Sequence, residues 1–382
     1  MRGLKSLLLT SVVALLIGGR HGWCPAGDIQ STTAWIPQNA VATLVLKNPT
    51  SLIEQWEKSP LRQAVESNPG FRAALANPGL KQADALVGLV EVHTKKDRWT
   101  LLKQLLGGGL FVAALPRGEV LVIAEAQDGQ LLRDVHEFLL GLAKLDAENK
   151  GQPDRVKSAD YRGVTAWTFG GDEIHAIVEN RLILTNKPDL VKQIIDRIQD
   201  SRGGGLRDNP KFAAAAKATA DHNLVLYLDL ETLRALPNVA KGLEQGRQPL
   251  PILLLAGTVT ALQKAPWLAV GLSIEGNRVK GTLQTGEVAE WPSTLSFAVT
   301  SPEDGVLPPI HVPGTVLTAS FYRNLRDFYA QKNELFPERT SGLIFFENMM
   351  GIFFTGRNFT EEVLAELEPY VRVVVAAQRY AP

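Results

Sequence analysis

The side chains able to do chemistry in this chain are six histidines, one cysteine and a spread of carboxylates. His21, His93, His136, His175, His222 and His311 include no pair at the H-x-x-x-H spacing that sets two imidazoles on one helix face for a metal ion. Cys24 is the sole cysteine, so a thiolate metal cluster and an internal disulfide are both excluded. His136 falls on the polar side of a helical stripe and is expected in solvent. His175 follows Asp172 and Glu173 in a strand. A hairpin surface is the favoured reading there, and a weak divalent-cation site the less favoured one. Gly107–Gly109 and Gly203–Gly205 lack the Gly-Lys-Ser/Thr ending of a phosphate loop, and the first run leads into a strand rather than a helix. No serine sits in a G-x-S-x-G turn. Glu361 and Glu362 follow Thr360 and suit the first turn of a helix, where acids complement the dipole. No catalytic, cofactor-binding or metal residue is therefore assigned. Carboxylates far apart in sequence remain the one route to an acid–base site.

One apolar stretch stands apart. Phe345, Phe346, Met349, Met350, Phe353 and Phe354 lie close together. On a helix, Phe346, Met349, Met350 and Phe353 share a side. Core packing is the ordinary fate of such a stripe. If exposed, these four residues form a candidate partner surface or dimer contact.

Alternating strands and helices must position these groups. Val41–Leu46 reads as a strand, followed by Asn48-Pro49 as helix cap and first turn. Leu110–Leu115 and Glu119–Ala124 predict a hairpin around Pro116–Gly118. The clearest helix is Gly129–Leu145, with Leu131, Leu132, Val135, Phe138, Leu139 and Leu142 on one stripe. Strands at Gly163–Phe169, Ile174–Val178 and Leu182–Thr185 precede a helix from Pro188. A second strand start lies at Leu224. A helix over Ile252–Leu262 and a hairpin turning at Gly276-Asn277 follow. The Pro-rich stretch Ser301–Pro313 reads as a connector, before a third strand start at Val316.

The three strand-into-helix starts at Val41, Leu224 and Val316 resemble one another loosely. Leu101–Leu115 and Val363–Ala377 align without gaps as helix, break and strand. The expected organisation is residues 1–26 as a signal peptide, 27–202 as a first α+β unit, 203–300 as a second and 301–382 as a third. The third looks incomplete, since nothing after Ala377 supplies the partner hairpin that follows the first copy.

The expected address is export. Arg2 and Lys5 precede the apolar run Leu7–Ile17, which Gly18–His21 stop well short of the roughly 20 residues a membrane span needs. Cys24 and Ala26 supply small residues for cleavage. Lipid anchoring at Cys24 is a minor alternative, because Trp23 is large for the position before an acylated cysteine. Lys plus Arg equals Asp plus Glu at 40 each in 382 residues, with 45% apolar. A neutral chain without a basic stripe does not suit nucleic-acid binding.

Tyr161-Arg162-Gly163-Val164, Glu173-Ile174-His175-Ala176 and Asn180–Pro188 carry a family resemblance. So do Trp35-Ile36-Pro37 and Phe354–Thr360. In these segments the chain resembles the bacterial domain-of-unknown-function family three-three-five-two, which occurs in secreted proteins and often in planctomycetes. The resemblance implies export, and implies chains often longer than this one. It brings no reaction and no site residues.

The sequence thus predicts an exported α+β protein of repeated units, each a mainly antiparallel twisted sheet with helices packed on one face. The expected role is non-enzymatic, through contacts with envelope proteins, with no cofactor and no nucleic acid. A hydrolase with scattered carboxylates and a small-ligand carrier are the alternatives.

Overall fold

The computed structural model describes residues 29–58, 62, 66–67, 77–200, 203–236, 239, 264–275, 278–287, 307–308, 310, 312–322, 324–330 and 340–376. The expected signal segment, the helix expected at 252–262 and the Gly276-Asn277 turn lie outside these residues. The chain divides into two compact units, Met1–Leu236 with Pro266–Gly286, and Pro237–Ala265 with Glu287–Pro382.

In the first unit, helix α1 (Ile29–Trp35) leads to strand β1 (Ala42–Leu46) and helix α2 (Pro49–Glu57). The Asn48 side chain caps α2 by accepting from Ser51 N, and Pro49 occupies its first turn, as that dipeptide predicts. Helices α3 (Pro78–Thr94) and α4 (Arg98–Leu106) precede the hairpin β2 (Gly109–Ala114) and β3 (Val120–Glu125). Helix α5 spans Gly129–Asn149, started by Asp128, whose carboxylate accepts from Gln130 N and Leu131 N. A four-strand meander follows: β4 (Lys157–Tyr161), β5 (Val164–Thr168), β6 (Ile174–Val178) and β7 (Arg181–Thr185). Then come α6 (Pro188–Gln199), α7 (Pro210–Ala218), β8 (Leu224–Asp229) and α8 (Leu230–Arg234). The hairpin β9 (Trp267–Glu275) and β10 (Arg278–Thr285) ends the unit.

All ten strands form one antiparallel sheet, in the order β10-β9-β8-β1-β2-β3-β7-β6-β5-β4. The fold class is α+β with an antiparallel sheet, as the sequence predicts. Two details depart from expectation. The boundary expected at residues 202 and 203 is not where the units part. Strand β8 pairs with the full length of β1, from Ala42 opposite Leu228 to Leu46 opposite Leu224. Strands otherwise assigned to a second unit thus satisfy the backbone edge of the first, which would stand unpaired without them. Helices also cover both faces rather than one. Val45, Phe111, Ile123, Ile183 and Tyr227 pack with Trp35, Leu190, Ile194 and Phe212 from α1, α6 and α7. Their sequence neighbours Leu46, Leu110, Val122 and Ala124 pack with Leu52 of α2 and Leu106 of α4 on the other side. Central strands that are apolar at consecutive positions bury both faces, and each face needs a helix layer.

The second unit holds β11 (Thr315–Tyr322), α9 (Leu325–Ala330) and α10 (Thr340–Phe353) in chain order. The helix expected after Thr360 is instead a π turn, Phe359–Val363, running into a short 3-10 turn, Leu364–Glu366. Asn358 caps the π turn, its side chain accepting from Thr360 N and Glu361 N. Strand β12 (Tyr370–Ala376) pairs antiparallel with β11, as β2 does with β1. Among the described residues, no helix is long and apolar enough to cross a membrane.

Candidate functional site

The groups most distant from solvent expectation are two histidines. His136 stands on α5 and His175 on β6, and their Nε2 atoms are 3.1 Å apart. The alternation of β6 sends Ile174 and Ala176 toward Val191 and Ile195 of α6. His175 therefore points to the opposite face, beneath α5. It is only 3% exposed, and Phe169 stacks on its ring at 4.6 Å between centroids. Burial, and then the nearby His136, push the His175 pKa down to about 4. Burial also lowers that of His136. His175 Nδ1 is buried and has no hydrogen-bond partner. Both sequence expectations are corrected here. His136 is half-buried rather than free in solvent, and His175 lies under a helix rather than on a hairpin surface. The missed signal is that a polar residue in an otherwise two-faced apolar strand must meet something across the layer.

A second buried histidine sits on the opposite half of the sheet. His222 Nδ1 lies 3.1 Å from Ser273 Oγ, and its Nε2 lies 2.7 Å from Thr282 Oγ1. A Ser–His pair suggests nucleophilic chemistry, but Ser273 meets Nδ1, the nitrogen a triad gives to its acid, the Thr282 hydroxyl takes the nucleophile's place at Nε2, and Ser273 is buried. The ring fits because Gly271 leaves room: a Cβ there would sit 2.3 Å from His222 Cδ2. These contacts fasten β9 and β10 to the loop before β8.

The buried charges of Glu125, Arg181 and Asp229 are paired. Arg181 Nε donates to Glu125 at 3.1 Å and to Thr32 at 2.9 Å, and its other nitrogens reach Glu179 and Ser31. Its guanidinium lies 4.4 Å from the Trp35 ring. Asp229 accepts from Lys211 at 3.1 Å, and Glu231 pairs with the same ammonium. Lys47 donates to the carbonyls of Thr219 and Ala220, and burial lowers its pKa. Hydrogen bonds hold two other carboxylates below their usual range: Thr100 acts on Asp97, and Arg162 with Tyr161 on Asp196.

Two described cavities complete the inventory. One of about 520 Å³ is lined by Arg155, Lys157, Thr168 and glycines 151, 170 and 171. The other, of about 490 Å³ in the second unit, brings Glu347 and Glu361 to one space with Arg357 and Phe359. Glu361 pairs with Arg326 at 2.8 Å. Both are open surface hollows, unlike the enclosed apolar chamber between sheet and helices that a small-ligand carrier needs.

The candidate partner surface is divided by the fold. Phe346 turns inward to a ring cluster, 6.4 Å from Tyr329 and 5.5 Å from Phe359, and Met350, four residues further on, is half-buried. Met349 and Phe353 face outward. Phe345 and Ile352, neither among the four, join them. Exposure runs from 45% at Met349 through 75% at Phe353 to 84% at Ile352. The outward stripe is thus Phe345, Met349, Ile352 and Phe353, one helical turn and then another along α10.

No protein-family model matches the chain, and no curated protein does. The chain is similar to solved structures that include crystal forms I and III of TP0453. Form I is 11% identical over 69% of this chain and 80% of that one, with a TM-score of 0.34. Form III is 10% identical over 68% and 82%, with the same TM-score.

Proposed function

We propose that this chain is an exported, non-enzymatic protein that works by holding an envelope partner through an apolar surface. The observation that carries the reading is the outward stripe Phe345, Met349, Ile352 and Phe353 on α10. Rings and branched chains at such exposure leave apolar area in water that a partner surface removes, and contiguous patches of this kind mark interaction sites. Export is supported by Arg2, Lys5 and the short apolar run Leu7–Ile17. The resemblance to the secreted family three-three-five-two points to the same compartment. The test is cross-linking in the native cell, followed by capture of this chain and mass spectrometry. An envelope protein linked reproducibly to α10 supports the reading. Metal-free turnover of a substrate by the purified chain overturns it.

One observation favours a second reading, a hydrolase. The cavity of about 490 Å³ brings Glu347 and Glu361 to a common space, and paired carboxylates can serve as acid and base on a glycoside. Hydrolysis of a glycoside panel by the purified chain, lost in Glu347→Gln and Glu361→Gln, would establish it. No hydrolysis by the unaltered chain would end it.

A further inference from the structure

We propose that His136 and His175 form a two-imidazole site for a borderline divalent transition-metal ion such as Zn²⁺, completed by solvent.

The geometry comes first. Two nitrogens bound to tetrahedral zinc at roughly 2.0–2.1 Å stand about 3.3 Å apart. The two Nε2 atoms are already 3.1 Å apart. An opening of about 0.2 Å admits the ion, within the tolerance usual for a metal site. The pair is also held from two different elements. Helix α5 supplies His136 and strand β6 supplies His175, with Phe169 against the latter ring. Both ligands stand on regular elements, and α5 is itself packed against α3 and α4 through Leu131 and Val135 with Val90 and Leu101.

Protonation state favours a cation. Metal ligands must be neutral imidazoles with a bare lone pair. Burial and the neighbouring His136 hold the His175 pKa near 4, and burial lowers that of His136. Both rings are therefore uncharged at neutral pH. Without an ion, one ring must donate its Nε2 proton to the other, so only one lone pair is used. With an ion, both Nε2 lone pairs are used and each ring holds its proton on Nδ1, which for His175 is a buried nitrogen without a protein partner and so calls for a water there. The donor ring exchanges its Nε2 proton for one on Nδ1 through water, so no net proton is released. His136 is half-buried, so the pair is reached from solvent on its side. Among the described residues, no third histidine, cysteine or carboxylate joins the pair as a metal cluster. Solvent must fill the remaining positions, so the site is open in the sense of a catalytic zinc rather than closed like a structural one.

The test is Zn²⁺ titration of the full chain by calorimetry, in a reference chain carrying His21→Ala and Cys24→Ser to remove the one other neighbouring pair of soft ligands. The proposal expects one saturable Zn²⁺ per chain, weakened at least about tenfold by His136→Ala. The same titration on ¹⁵N-labelled reference chain needs no site variant: the Nε2 resonances of His136 and His175 shift together. No saturable binding, undiminished binding in His136→Ala, or a titration that leaves both Nε2 resonances in place overturns the proposal. The pair is then a hydrogen bond fastening α5 to the sheet and nothing more.

Discussion

Arg181 faces Glu125 across the β7–β3 ladder, and the two form an ion pair at 3.1 Å with both side chains buried. Thr32 bridges them, donating to Glu125 at 2.7 Å and accepting from Arg181. The pair therefore fastens α1 to the end of the central strands, with Trp35 lying against the guanidinium. A buried charge is tolerable only while its partner and hydrogen bonds are in place. Glu125→Gln leaves Arg181 with the exposed Glu179 as its remaining anion. The expected cost is about 3 kcal/mol in urea unfolding of the purified chain. Glu125→Leu with Arg181→Met removes both charges and should recover most of that loss. A double variant as unstable as the single one would show that the network acts through something other than charge.

His175 makes stability depend on pH with a definite sign. Its pKa is about 4 in the folded unit, against an ordinary value of about 6.5. Between those values the unfolded chain takes up a proton that the folded chain refuses. Stability from this group is full above pH 6.5, declines as pH falls through the window, and is lower by about 3 kcal/mol below pH 4. The His136 shift has the same direction and adds to the decline. Thermal unfolding at steps from pH 7.5 to 4.5 should show the midpoint falling in wild type. The fall should be shallower in His175→Leu. Parallel curves for the two chains would remove His175 as the cause.

Gly271 and His222 are coupled by space. A Cβ at position 271 would meet the imidazole ring at 2.3 Å, so the ring must leave its bonds to Ser273 and Thr282. Gly271→Ala should cost about 2 kcal/mol, the usual scale of overpacking. Removing the ring first, in His222→Ala, leaves the new methyl group a vacated volume. The double variant should then be more stable than the sum of the two single losses implies. Strict additivity would mean that the clash is relieved elsewhere.

Local signals in the sequence were sufficient for some elements that carry their own punctuation, although Asn209-Pro210, which starts α7 in the same way, was passed over. Asn48-Pro49 marks the start of α2, and the stripe from Leu131 to Leu142 marks α5, because capping and amphipathic spacing are properties of consecutive residues. Strand β4 was missed for the converse reason. Lys157, Ser158, Ala159 and Asp160 are all exposed, so the strand has no buried face to produce alternation. It exists because β5 offers it a backbone edge. The joining of β8 to β1 was illegible for a similar reason, since nothing at residue 224 specifies which edge it will meet. The histidine pair shows the same limit at the level of a site. His136 and His175 are 39 residues apart on different elements, and their meeting depends on which face of the sheet receives α5.

The two sides of α10 should respond to mutation in opposite ways. Phe346 belongs to the ring cluster with Tyr329 and Phe359, so Phe346→Ala removes packing and should cost about 2 kcal/mol. Ile352 and Phe353 project outward and support little of the unit's interior. Ile352→Gln with Phe353→Ser should leave unfolding within about 0.5 kcal/mol of wild type. The same double variant should lose the cross-linked envelope partner, because the apolar area that partner covers is gone. Stability measured by urea unfolding and partner yield measured by mass spectrometry separate the two roles. Loss of stability with the outward pair would show that the stripe is part of a core, and retained partner yield would place the contact on another surface.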